Sequence, residues 1–388
     1  MNPPSVFELD PKDPAPPYPP PPKYTGPITV AETGNNPAPQ PPQPPSGPCG
    51  WSRITKWRVG ALVVTALIVA VVVGAVVGVR NRNNNRYPNY SKLNYTLVDT
   101  YEGPSFFDNF DFFSGEDPTY GFVQYVNQEV AQDLNLTHAT DYSAILRVDT
   151  SNTNAVNGRQ SVRIESKQAY DTGLFLFDVI HSPYGCGTWP ALWLTDPNNW
   201  PTNGEIDVME WTNMANKGNE VTLHTTSGCS MKAKRKQTGS SVMTDCDTKH
   251  GNIGCEVQGP PSSGGKAFNE NGGGIYALEL RDAGIRTWFF PRDSIPNDIT
   301  NTTGSPDPSS WEEPLADFPS THCDIPSHFR NQSIIVNIDL CGELGAQPRL
   351  YKGMSHCPGT CKRFVATNAT SFRTAYWEFA SFKVYQAS

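Results

Sequence analysis

Between Val59 and Val79 the chain reads VGALVVTALIVAVVVGAVVGV, 21 residues without a charge. At ~1.5 Å rise per residue, a helix of this length crosses the ~30 Å hydrocarbon core of a bilayer. A buried core helix is seldom this uniformly apolar over such a length. A cleaved signal peptide sits at the N-terminus with a shorter apolar run, whereas 58 residues precede this one. The run therefore reads as one transmembrane helix over residues 59–79, and the rest of the chain must fold on either side of it.

The two sides differ in texture. Residues 1–52 read as a disordered Pro-rich tail. Half of the chain's 36 prolines fall in the first 50 residues, and runs such as PAPPYPPPPKY favour extended polyproline conformations over a core. Pro21-Pro22-Lys23-Tyr24 has the PPxY form that WW domains bind, making such a domain a candidate partner of the tail; chance in a Pro-rich tail is the competing reading. Positive charge does not orient the helix. Arg53, Lys56 and Arg58 on one flank face Arg80, Arg82 and Arg86 on the other. Cysteines and sequons decide instead. Eight of the nine cysteines follow the run, an even number that suits disulfides in an oxidising compartment. Six Asn-x-Ser/Thr sequons, at Asn89, Asn94, Asn135, Asn301, Asn331 and Asn368, also follow it. The expectation is a single-pass type II membrane protein with its large C-terminal part extracellular or luminal. Cys49, on the cytosolic side, reads as a free thiol, with palmitoylation as the alternative.

Residues 80–94 read as a polar stalk. From Tyr95 to Ser388 the chain breaks into short segments rich in β-branched and aromatic residues, among them QSVRIESK, TGLFLFDVI, PALWLT, EVTLHTT and SIIVNIDLC. Several alternate with period two, and turn residues separate them. This predicts an all-β domain, a jelly-roll β-sandwich. Residues 229–265 read as a disulfide-tied excursion and 297–328 as loop. The formal net charge of −8 argues against a nucleic-acid partner, whose phosphates call for Lys/Arg patches.

One segment carries chemistry. In NGEIDVMEW, Glu205 and Asp207 share a strand face at i and i+2, and Glu210 arrives one residue late. A β-bulge at Val208-Met209 would return Glu210 to that face. Three aligned carboxylates cannot all ionise freely, so at least one pKa must rise. Glycoside hydrolysis needs that separation, one carboxylate ionised as nucleophile and one carboxyl protonated as acid. A solvated strand face and a Ca²⁺ site compete with this reading. Trp189, Trp193 and Trp200 just before the acids favour sugar, whose apolar ring faces stack on indoles. His224, in VTLHTT, falls on what should be a neighbouring strand.

GEIDVMEW resembles the bulged, laminarinase-like active-site signature of glycoside hydrolase family 16. GTWPALWLTDPNNWPTNG, TLHTTSGC, IDLCGELG and the C-terminal FRTAYWEFASFKVYQ resemble fungal endo-1,3(4)-β-glucanases in order. The resemblance implies two curved antiparallel sheets with a cleft on the concave face, and retaining cleavage of β-1,3 or mixed β-1,3/1,4 glucans. It implies Glu205 as nucleophile, Asp207 as the assisting acid and Glu210 as acid/base, with Trp193, Trp200, His224 and Arg163 contacting the glucan. A transglycosylase using the same nucleophile and a non-catalytic glucan binder are the alternatives. Leu344 stands where family members often carry a cleft tryptophan. No cofactor and no metal ligand are expected, and a structural calcium would fit the family without a legible ligand set.

Overall fold

A computed structural model describes residues 53–84, 87–301 and 305–388. The Pro-rich tail, its PPxY motif and Cys49 lie outside the described residues. Arg53–Asn84 form one helix. Its Ala61–Gly78 stretch is long and apolar enough to cross a membrane, and none of it is buried by the protein. The sequence supplies this helix with neither a polar stripe nor an acidic first turn, so nothing in it selects a protein partner face.

The remainder builds two eight-stranded sheets, antiparallel throughout. The site-bearing sheet runs, in spatial order, Ser240–Ser241, Cys255–Gln258, Glu220–His224, Glu205–Glu210, Thr188–Thr195, Gln332–Leu340, Arg163–Tyr170 and Phe110–Phe112. The second sheet is centred on Gly274–Arg281, Gly173–His181 and Tyr376–Ala387, with Ala316–Pro319 at one edge. Alternate residues of both sheets fill one core. Leu192, Leu194, Ile206, Val208, Val221, Ile334 and Val336 come from the first sheet, and Phe175, Phe177, Tyr276, Trp377 and Phe382 from the second. The jelly-roll sandwich expected from the strand pattern is the fold observed.

Two stretches read as irregular carry more structure than that. Residues 297–328 contain a helical turn at Asn297–Thr300, a strand at Ala316–Pro319 and a second turn at Ile325–His328. Trp311 there packs edge-on to Trp288 and Phe290 at 5.1 and 5.2 Å between centroids. It covers a second apolar cluster on the outer face of the second sheet. Elements of four residues are too short to show a period. The stalk expectation fails from Tyr87 onward. Tyr87 and Tyr90 both donate to Asp317, and Leu93 packs on the second cluster, so 87–94 lie on the domain.

The excursion at 229–265 is tied as expected, by Cys229–Cys323 and Cys246–Cys255. Cys186–Cys357 and Cys341–Cys361 complete the set. All eight cysteines after the apolar run are thereby paired, in one of the 105 arrangements eight cysteines allow. Five of the six sequon asparagines are exposed, and Asn368 is half-buried.

Candidate active site

The acidic strand starts from a tight turn. Gly204 has φ +75°, and a Cβ there would lie 2.3 Å from the His328 carbonyl. Glycine is the residue that meets both conditions, and it delivers the chain into Glu205. Along the next strand the pairing slips. Asp207 opposes Trp193, yet Met209 opposes Leu192, leaving Val208 as the extra residue. On the other side Asp207 opposes Thr222 and Glu210 opposes Glu220, three steps against two. This is the bulge the misplaced acid predicted. Its effect is readable on the neighbour: Glu205, Asp207 and Glu210 pair with Thr195, Trp193 and Ala191, alternate residues of one strand. Alternate residues share a face, so the three acids do too. Ile206, Val208 and Met209 are fully buried in the core on the other side.

A bulge breaks the ladder and leaves backbone groups to be paired. Asn219 takes them. Its Oδ1 accepts from Glu210 N at 2.8 Å, and its Nδ2 donates to Val208 O at 2.8 Å. Asn219 is fully buried and held in turn by Ser263. It is the residue that fixes the bulge, and sequence reasoning passed it over. An Asn before a strand carries no distinctive signal of its own.

Each terminal acid has a tryptophan donor. Trp200 Nε1 donates to Glu205 Oε2, and Trp189 Nε1 donates to Glu210 Oε1 at 2.7 Å. Trp200 is 45% exposed, which leaves an indole face beside Glu205 open to a ligand. Trp193 donates to Asn337 at 2.8 Å, and Asn337 donates to Tyr125. Arg163 sits where expected but is buried. Its guanidinium lies over the Trp193 and Phe113 rings at 5.1 and 4.6 Å and pairs with Glu165 at 2.7 Å. It braces Trp193 instead of facing open space. Asn337 and Tyr125 join the site without having been picked out from the sequence, and Trp189, named there only for stacking, enters as the Glu210 donor.

His224, on the adjacent strand opposite Glu205, brings Nε2 to 3.4 Å from Asp207 Oδ2. His224 Nδ1, on the other side of the ring, has no protein hydrogen-bond partner among the described residues. Burial pushes the Asp207 carboxyl up to about 7, and the Glu205 charge adds to it. Burial and then the Asp207 charge push Glu210 to about 7, against the Trp189 hydrogen bond. Glu205 is also raised by burial, with His224 and Trp200 opposing. Burial works against a charged His224, yet the surrounding carboxylates outweigh it and raise it to about 9. Glu205, Asp207 and His224 also present ligand atoms within 4.8 Å of one another. A cation binding there would have to displace the His224 proton; without one, the three groups form a coupled proton-sharing set. Farther along the face, Glu220 is pushed up to about 8 by burial and by Glu256 and Glu210. Glu220, Leu344, Lys217 and Trp211 line a small open pocket there.

The arrangement offers carboxyls of raised proton affinity on one sheet face, with an indole N–H on each of the two glutamates. A family model described as the XgeA-like catalytic domain of glycoside hydrolase family 16 matches residues 110–385. The chain belongs to glycoside hydrolase family 16. A Schizosaccharomyces pombe protein described as a probable glycosidase is 45% identical over 312 residues, 79% of this chain and 73% of that one. The endo-1,3(4)-β-glucanase xgeA of Emericella nidulans is 40% identical over 309 residues, 76% of this chain and 48% of that one. The chain thus spans about half the length of that glucanase. Among solved family 16 structures, Laminarinase 16A from Phanerochaete chrysosporium, with β-glucans in its donor and acceptor sites, is 44% identical. It has a TM-score of 0.73 and covers 75% of this chain and 99% of its own. An elongating family 16 β-1,3-glucosyltransferase is 40% identical with a TM-score of 0.71, covering 75% and 100%.

Proposed function

We propose that the chain is a retaining endo-β-glucanase cleaving β-1,3 or mixed β-1,3/1,4 glucans. The observation that carries this is the bulge, which sets Glu205, Asp207 and Glu210 on one face with an exposed Trp200 beside Glu205. Glu205, whose charge His224 and Trp200 favour, attacks the anomeric carbon. The bond from that carbon to the leaving sugar breaks, and the Glu210 proton passes to the departing oxygen. Water then attacks the same carbon, Glu210 takes its proton, and the glycosyl ester opens to restore Glu205. Asp207 and His224 hold the charge balance between the two steps. Trp200 and Trp193 stack on glucosyl rings, and Arg163 acts through Trp193. Glu205→Gln abolishes laminarin cleavage on this reading, and proton NMR of the first product shows the β anomer. Unchanged cleavage by that variant removes the assignment.

A second reading keeps the covalent step and replaces water with a sugar acceptor. It is favoured by the similarity to the elongating β-1,3-glucosyltransferase. Mass analysis separates the two, since only transfer yields products longer than the donor.

We further propose that the Ala61–Gly78 stretch anchors the enzyme in a membrane, with the β domain on the extracellular or luminal side. Four disulfides and five exposed sequon asparagines support that side.

A further inference from the structure

A buried acid on the site-bearing sheet takes no part in the catalytic reading. Asp339 stands directly opposite Trp189 on the neighbouring strand, so the two side chains share a face. Trp189 is the residue whose N–H reaches Glu210. Asp339 is 2% exposed, and two glycines close over its carboxyl. A Cβ at Gly121 would stand 1.9 Å from Oδ1. A Cβ at Gly342 would stand 2.6 Å from Oδ2 and 2.7 Å from Trp189 Cε3. Gly342 also has φ +59°, which glycine adopts at no steric cost. The Gly342 backbone is thus pressed between the Asp339 carboxyl and the ring that serves Glu210.

Loop residues 117–121 fix the carboxyl from the other side. Thr119 Oγ1 lies 2.6 Å from Asp117 Oδ2 and 3.2 Å from Asp339 Oδ2. Asp117 Oδ2 also accepts from the Thr119 and Gly121 N–H groups at 3.0 and 2.8 Å. Donors converging on that one oxygen mark Asp117 as the acceptor of the pair. A hydroxyl has one proton, and the shorter contact commits it to Asp117. The 3.2 Å contact is then a hydrogen bond only if Asp339 carries a proton and donates it to Thr119 Oγ1. The other Asp339 oxygen accepts from Leu340 N at 2.5 Å. The surroundings agree. Burial, and then the Asp117 charge, holds the Asp339 carboxyl well above the usual carboxylate range, with Arg163 opposing. The Tyr125 hydroxyl is a further titratable neighbour. The Thr119 carbonyl accepts from Glu343 N at 2.9 Å, so the loop also grips the segment that carries Gly342.

We infer that Asp339 is a positioning residue that works as a neutral acid. Its proton closes the chain from Asp339 through Thr119 to Asp117, and the closed chain holds Gly342 against Trp189 so that the indole N–H stays on Glu210. This rests on the reading of Glu210 as the acid/base. Asp339 acts through Trp189 and not on the substrate.

The test is the pH profile of kcat/KM on laminarin, taken with the full chain. Thr119→Val keeps the side-chain shape and removes the hydroxyl. Asp339→Leu keeps the branching and removes donor and acceptor together. Both loosen Trp189, so the Glu210 carboxyl rises and the alkaline limb moves up by roughly half a unit or more. In both, kcat falls roughly tenfold while KM stays within about twofold. Asp339→Asn keeps a donor and an acceptor on the same two positions, and its limb stays with the parent's. The infrared difference between the parent and Asp339→Asn at pH 7 carries a protonated-carboxyl band. A limb that stays still in folded Thr119→Val and Asp339→Leu enzymes overturns the proposal. So does an Asp339→Asn limb displaced as far as that of Asp339→Leu, or a difference band from an ionised carboxylate. A Glu210→Gln enzyme that cleaves laminarin at the parent's rate overturns the acid/base reading, and this proposal with it.

Discussion

Replacing Trp189 with Phe removes one N–H while keeping an aromatic ring of similar shape. That N–H donates to Glu210 Oε1 at 2.7 Å, and it does more than any other neighbour to hold the Glu210 carboxyl down against burial and the Asp207 charge. A hydrogen bond to a charged group is worth roughly 1.5–3 kcal/mol, and one pKa unit corresponds to about 1.4 kcal/mol. Trp189 is half-buried, so solvent returns part of the loss, and the carboxyl rises by roughly one unit. It starts from about 7. In the proposed mechanism Glu210 must be protonated in the first step, so kcat/KM falls as pH rises through its pKa. Losing the donor therefore moves the alkaline limb upward.

The assay is kcat/KM on laminarin from pH 4 to 10. The Asp207 charge raises Glu210, so the limb reflects both groups, and its displacement is the quantity to read. Trp193→Phe is the matched control. Its N–H goes to Asn337 and not to a carboxylate, so binding weakens while the alkaline limb stays put. If the limb of a folded Trp189→Phe enzyme stands still, or moves toward acid, the electrostatic reasoning for Glu210 is wrong.

Three further outcomes follow from the same geometry. Trp200→Phe removes the donor that favours ionised Glu205, so the acidic limb moves up and the profile narrows from its low side. Asn219→Ala strands the Glu210 N–H and the Val208 carbonyl, each a buried backbone group costing about 1–3 kcal/mol unpaired; kcat falls at least tenfold and Tm drops by roughly 5 °C by calorimetry. Glu220→Gln tests stability: a carboxyl raised from its ordinary value to about 8 stabilises the fold below its unfolded pKa and loses that contribution as pH rises through 8. The variant should match the parent at pH 4 and melt several degrees higher at pH 9, and equal melting at both would rule out a raised Glu220 carboxyl.

Much of the site was legible because its logic is local. An acid displaced by one residue requires an extra residue in the strand, and the pairing of Met209 with Leu192 supplies it. The apolar run and the even cysteine count are local signals of the same kind. What escaped was long-range. Asn219 pins the bulge from just before the following strand, and Arg163 braces Trp193 from two strands away. Asp317 gathers Tyr87 and Tyr90 from more than 220 positions earlier in the chain. None of these contacts leaves a period or motif, because side-chain hydrogen bonds between distant segments constrain identity at single positions only. Leu344 shows how this limits specificity. Leu344, expected from the resemblance to stand in place of a cleft tryptophan, lies beside Glu220, Lys217 and Trp211, at the Glu210 end of the face. A substitution there acts on whatever sugar lies beyond the acid. On the proposed reading Trp200, at the Glu205 end, holds the other side. The asymmetry favours firm holding of one side of the cut bond over the other. That bias bears on the choice between water and sugar as acceptor, because a weakly held leaving portion departs before a new acceptor arrives.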